Sequence, residues 1–279
     1  MCLQRKYRRK NSFIGKGLED VVRQNINNFK KYTFLLEQLV KKEIKLKYRS
    51  SVLGVLWTLL EPLLTMIVLS YVFSVLFNKK MEYVPVYILS GRLLYTFFAN
   101  STKAATKSIR KNGAMIKKVY VPKYIYALAS VIANYIMFLI SLSILAVIFL
   151  IIRVPITWNL LLLFIPLGII FVMTLGIGLI LATAAVFFRD LEYLWSVALM
   201  IIMYTAAIFY DTSRIIDENR GWIFKVNPLY AVIHNFRACL FGEALDPYYL
   251  IYSIVFSIVT LGIGMYVFYK KQDKFILNI

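Results

Sequence analysis

Long apolar runs separated by short polar turns make up most of the chain. The first begins at Val52 and continues to Phe77. A helix needs about 20 apolar residues to cross a bilayer core. This run therefore predicts a transmembrane helix, kinked at Glu61-Pro62, where proline removes a backbone donor. Comparable runs cover about Tyr126 to Ile152, Leu160 to Phe188 and Tyr249 to Tyr269, with a shorter one from about Leu194 to Tyr210. The stretch from Val84 to Thr106 has spanning length but is unusually polar, carrying Arg92, Thr96, Asn100 and Lys103. Together these runs predict an all-α integral membrane fold with six transmembrane helices. Leu229 to Phe241 is mostly apolar yet too short to span, and it holds His234, Asn235 and Arg237. That predicts a re-entrant or interfacial outer segment, whose irregular backbone must be covered by protein or line a cavity.

Ahead of the first span the period changes. From Phe29 to Tyr48, Tyr32, Leu35, Leu36, Leu39 and Leu46 share one helical face, with Lys31, Lys41 and Lys45 opposite. Such a helix lies in the membrane interface. Glu37 supports Lys41 one turn on. Glu43 breaks the pattern by sitting on the apolar face; it either bonds nearby Lys47 or contacts the membrane domain or a partner. The chain thus divides into a basic cytoplasmic tail (residues 1–28), an amphipathic interface helix (29–51) and a transmembrane domain (52–279). The segment from Lys107 to Lys123 reads as a basic inner loop.

Charge orients these elements. The chain is 60% hydrophobic with a formal net charge of +19, from 33 Lys and Arg against 14 Asp and Glu. Fourteen of the basic residues precede Val52 and seven lie between Lys103 and Lys123. Basic residues concentrate on cytoplasmic segments of membrane proteins. Both termini are therefore expected inside a cell membrane, inner or plasma, with Cys2 inside and Cys239 outside. The basic residues flank the apolar runs, so the charge points to membrane topology and not to nucleic acid.

The chain shows no P-loop, HExxH, CxxC or GxSxG pattern. A metal-binding DxD pair is missing too, and His234 is the one histidine. No catalytic residue, metal site or bound cofactor is expected, so energy for uphill transport has to come from a partner.

Four stretches carry a family resemblance. Arg49 to Trp57 (RSSVLGVLW) with Glu61-Pro62-Leu63 opens the membrane domain. Asn112 to Ser130 reads NGAMIKKVYVPKYIYALAS; Phe188 to Leu191 reads FRDL; Asn227-Pro228-Leu229 is followed by Arg237. In this order they resemble the ABC-2 type permeases that export O-antigen, capsule and teichoic acid. The sequence departs from that pattern at Ala206 to Asp211, where Ser-Pro-Ile-x-Tyr-Pro is common, and at Arg92, where an apolar residue is usual. The resemblance implies a permease homodimer with its channel at the interface. It also implies two copies of a cytosolic ATP-binding subunit that hold the ATP and Mg. The cargo would be a lipid-linked glycan on a polyprenyl diphosphate, moved to the outer face. Lys117, Lys118, Val119, Tyr120, Pro122 and Lys123 would couple to the ATPase; Asn227, Pro228 and Arg237 would form an outer gate. The alternatives are an ABC-2 exporter of a drug or small lipid, and a membrane enzyme acting on lipid-linked sugars. The enzyme would call for paired intramembrane carboxylates, and Glu61 stands alone.

Two helix faces are candidates for the substrate pathway. Trp57, Glu61, Leu64, Val68, Tyr71 and Val75 fall within about 40° of one line. Aromatic rings there either stack on sugars or pack against helices. Glu61 is either functional, as intramembrane charges tend to be, or bonds backbone freed by Pro62. Arg92, Thr96, Ala99, Lys103 and Lys107 lie within about 80° of one another, with Asn100 at the margin. This stripe either faces a wet path and an anionic cargo, or is structural, with Arg92 paired to Asp211 or Glu82.

Overall fold

The structure is a computed structural model that describes residues 32–49, 51–76, 83–118, 121–210 and 222–275. Its elements are α1 (residues 32–48), α2 (Trp57–Leu76), α3 (Val84–Lys111), α4 (Gly113–Ile116), α5 (Tyr124–Ile152), α6 (Phe164–Phe187), α7 (Leu191–Thr205), α8 (Trp222–Val226), α9 (Pro228–Phe241) and α10 (Pro247–Lys271). Short 3-10 turns precede α2 and α6. Among the described residues there is no strand.

Four stretches are long and apolar enough to cross a membrane: Gly54–Val72, Tyr124–Ile152, Trp158–Phe187 and Pro247–Lys274. With no water in the bilayer core, a spanning segment must satisfy its own backbone, which favours uninterrupted helices. α5 is continuous over 29 residues, or about 44 Å at the helical rise. α3 is nearly as long, at 28 residues, but mixes apolar and polar positions. α7 is apolar but has 15 residues.

α3 is the centre of the molecule. It packs against α2, α5, α6, α7 and α9, which explains its composition. Ser90, Ser101, Thr102, Thr106 and Ser108 are all buried in it. Thr102, Thr106 and Ser108 each donate to a carbonyl one turn back, at 2.7–2.8 Å. The Thr102 hydroxyl also accepts from the Trp195 indole of α7 at 3.0 Å. Small hydroxyl residues thus let neighbouring helices approach while most satisfy their own polar atom; among the described residues the buried Ser101 Oγ has no partner.

α10 lies along α6 in the most extensive helix contact of the fold. α2 lies across α3 and α5. Pro62 sits inside α2, which stays helical through it. The proline has no N–H for the Thr58 carbonyl; Ser141 of α5 donates to that oxygen instead, at 2.8 Å. Of the two roles weighed for Glu61, a bond to backbone freed by Pro62 is therefore taken by Ser141.

Two boundaries differ from the apolar pattern. α3 runs on to Lys111, so the inner loop expected from Lys107 begins as helix. α7 ends at Thr205, short of Tyr210, because Ala207 takes a left-handed φ of 48° and turns the chain.

Candidate functional site

Among the described residues, a half-open cleft lies between α2, α3 and α5, bordered at one end by α1. α2 contributes Thr58, Glu61, Pro62 and Thr65, spaced so that one helical face looks inward. α3 contributes Arg92, Thr96 and Asn100, one turn apart. α5 adds Asn134 and Ser141, and the end of α1 adds Lys47 and Tyr48.

Arg92 is half-buried, and its Nη1 points at the Met203 sulfur at 3.7 Å. Its guanidinium carbon lies 6.0 Å from the Tyr95 ring centre. Among the described residues no carboxylate pairs with it; Asp211 and Glu82, the partners weighed from sequence, lie outside them. Desolvation pushes the Lys47 ammonium below the usual lysine value, against the pull of the Glu61 carboxylate. The same two influences raise the Tyr48 phenol.

Glu61, Arg92, Thr96 and Asn100, all expected in a pathway, are therefore brought together. Trp57, Tyr71 and Lys103 are not. Trp57 and Tyr71 point outward from the helix bundle with Leu64 and Val68, Tyr71 at 74% exposure. Lys103 is exposed away from the cleft, and Lys107 turns to Glu192 at 3.5 Å.

At the C-terminal end of α3, α1 is latched to the α3–α4 corner. Lys111 meets Glu43 at 2.7 Å, and Lys42 donates to the Asn112 side chain at 3.3 Å. Leu39 and Val40 are buried beside this latch. Glu43 thus contacts the membrane domain, not Lys47. Arg110 pairs with Glu192 at the start of α7. Of the residues expected to couple to an ATPase, Lys117 and Lys118 are exposed after α4, while Val119 and Tyr120 lie outside the described residues. Pro122 and Lys123 lead into α5. Lys123 donates to the Gln272 carbonyl at 2.5 Å and lies 5.8 Å from the Phe275 ring centre, tying α5 to the end of α10.

The opposite end is built on Arg237, which is 6% exposed. It donates at 3.0 Å to the carbonyls of Tyr87, Ala207 and Ile208 and stacks 3.4 Å from the Tyr87 ring centre. Asn227 caps α9, accepting from the Leu229 amide at 2.9 Å and donating to Thr205 at 2.8 Å. Pro228 opens that helix, where its missing N–H costs nothing. His234 packs between Tyr230 and Tyr249.

Residues 35–241 match the model of the family described as ABC-2 type transporter. This chain belongs to that family. It is a multi-pass membrane permease and not an enzyme, and such permeases work with ATP-binding subunits. It is 27% identical over 243 residues to the O-antigen export system permease protein RfbA of Klebsiella pneumoniae, covering 86% of the permease and 93% of that relative. The Myxococcus xanthus protein of the same name is 28% identical over 88% of the permease and 95% of its own length. The polysialic acid transport protein KpsM of Escherichia coli is 22% identical over 87% and 95%.

Sequence reasoning passed over several residues on which the permease's sites depend. A Cβ on Gly91 would lie 2.6 Å from the Arg237 Nη2, so only glycine leaves room for that guanidinium. Ser141, Asn134 and Met203 gave no signal beyond a polar or soft atom in an apolar run. Lys47 and Tyr48 were visible only as part of an interfacial helix.

Proposed function

We propose that this permease is the membrane subunit of an ABC exporter that carries a lipid-linked polysaccharide or teichoic acid from the cytoplasm to the outer face of the membrane. The similarity to named polysaccharide permeases over 93% or more of their length carries this reading. In it the chain crosses six times, with α3 and α7 joining the four strongly apolar stretches and α9 dipping in from outside. Both termini are cytoplasmic, in the inner or plasma membrane. Two copies form a homodimer, and two ATP-binding subunits carry the ATP and Mg.

In the same reading Lys117 to Lys123 receive the ATPase stroke. The neighbouring α3–α4 corner is latched to α1, so a push there moves both. Glu61, Arg92, Thr96 and Asn100 line the cargo's way in, whereas Trp57, Tyr71 and Lys103 reach it only across the dimer interface. Asn227, Pro228 and Arg237 brace the outer exit.

Deleting the gene in its host is expected to remove the surface glycan and leave lipid-linked glycan in the inner leaflet. Re-expression with the ATP-binding subunit restores the surface glycan. An unchanged surface glycan in the deletion strain, with no inner accumulation, overturns the function.

Topology has its own check. Cys239 is 0% exposed, so the native thiol is a poor reporter. Glu243, shortly before α10, and Lys270, in its last turn, are both exposed. In intact cells an impermeant maleimide is expected to label Glu243→Cys, and to label Lys270→Cys only after lysis. The reverse pattern overturns the orientation.

A further inference from the structure

We propose that the cleft between α2, α3 and α5 holds the diphosphate headgroup of a lipid carrier inside a single protomer, with α1 closing the site at the cytoplasmic interface. This rests on the export reading above and assigns a place to the cargo's charged end.

Arg92 carries the inference first. A guanidinium offers five donors and never gives up its charge. In this cleft its neighbours are a thioether and an aromatic ring face, both weak acceptors. A half-buried cation without a carboxylate is costly in a low-dielectric setting unless a ligand or water supplies acceptors. Its planar fork matches phosphate oxygens in paired fashion.

The rest of the lining completes the chemistry. Lys47 enters from the interface side, and Glu61 offsets one of the two cations. Among the described residues, the side chains of Tyr48, Thr96 and Asn100 make no hydrogen bond to the protein, so their polar atoms remain available to a headgroup and its first sugar. Arg92 to Asn100 covers about 12 Å of helix, enough for a diphosphate and one ring. Leu64 and Val68 on α2, and Ile136 and Ile140 on α5, face outward from the protomer at 37–60% exposure. A carrier chain lying against them stays in lipid while its headgroup enters the cleft.

The test uses the permease with its ATP-binding subunit in nanodiscs. The probe is a short polyprenyl diphosphate with a diazirine in its first isoprene unit. Saturable crosslinking is expected to map to α2, α3 and α5. Arg92→Gln is expected to weaken apparent affinity about tenfold, the worth of one or two charge-assisted hydrogen bonds. Lys47→Gln should weaken it severalfold, and Arg92→Lys should fall between. Asn100→Trp fills the cleft without touching a charge and should abolish labelling. Lys225→Gln, exposed on α8, should leave it unchanged.

Several outcomes overturn the site. Labelling that maps elsewhere does so, as does an unchanged affinity in Arg92→Gln and Asn100→Trp variants that melt like the parent. Inorganic diphosphate competing as well as the polyprenyl form removes the lipid from the proposal. Phosphatidylglycerol competing equally makes the cleft an ordinary phospholipid site. Surface glycan in cells is scored in parallel: export that depends on the permease while the cleft fails to label sinks this site alone, and export independent of the permease sinks the function.

Discussion

Arg237→Leu is expected to lower the melting temperature of the purified permease by roughly 10 °C and to cut its yield sharply. The reason lies in where α7 stops. Past Thr205 the chain leaves the helix, and Ala207 turns it through a left-handed φ of 48°. The carbonyls of Ala207 and Ile208 are then beyond the helix ladder. Arg237 supplies their donors, both at 3.0 Å, and a third bond to Tyr87 at the start of α3. Leucine leaves these acceptors buried, at about 1–3 kcal/mol each in the worst case. Losing the desolvation cost of the arginine offsets part of that, so a net loss of about 3 kcal/mol is the reasonable figure. For a chain this long, each kcal/mol moves the midpoint by about 2–4 °C.

Arg237→Lys should fall between the two, because an ammonium cannot serve three carbonyls and stack on Tyr87 at once. Gly91→Ala should resemble Arg237→Leu, since its new methyl meets the guanidinium at 2.6 Å. Thermal unfolding followed by tryptophan fluorescence reads all three. A midpoint for Arg237→Leu within about 2 °C of the parent would show that the carbonyls find other donors.

Gly176→Leu is expected to separate α6 from α10 and to leave little assembled protein. A Cβ at Gly176 would sit 2.5 Å from the Leu261 nitrogen and 2.7 Å from the Thr260 carbonyl carbon. These are backbone atoms, so no side chain can swing aside. The contact is reciprocal: a Cβ at Gly264 would lie 2.6 Å from the Gly176 oxygen. In lipid, helices gain nothing from hiding apolar surface, and close backbone packing is the main attraction between them. Overpacking in a core commonly costs about 1–3 kcal/mol; here it also removes the contact that joins the two helices, so a loss above about 3 kcal/mol is expected. Gly168→Leu is the matched control, because nothing lies within 4 Å of its added Cβ. Size-exclusion chromatography in detergent distinguishes them: Gly168→Leu should elute like the parent and Gly176→Leu should aggregate. Equal behaviour of the two variants would mean that α6 and α10 do not depend on this close approach.

Much of the fold was legible in the chain itself. The apolar runs near Val52, Tyr126, Leu160 and Tyr249 each became a helix long and apolar enough to span. Length and hydropathy are properties of one segment, and a bilayer makes that segment close its own hydrogen bonds. The interfacial period before Arg49, the short α9 and its Asn-Pro opening are local in the same way, as is the order of the four family motifs.

What tertiary structure alone decided is which side chains meet. Arg92, Thr96 and Asn100 were read as one stripe with Lys103 and Lys107, yet only the first three border the cleft. Glu43 passes over Lys47 for Lys111, sixty-eight residues away. Ser141, and not Glu61, serves the carbonyl freed by Pro62. Gly91 matters only because Arg237 lies against it. The physical reason is common to all of these. A sequence specifies which positions share a face of a helix. The rotation of that helix and the identity of its neighbours emerge from packing all the helices at once, and partners chosen that way leave no mark on the local pattern.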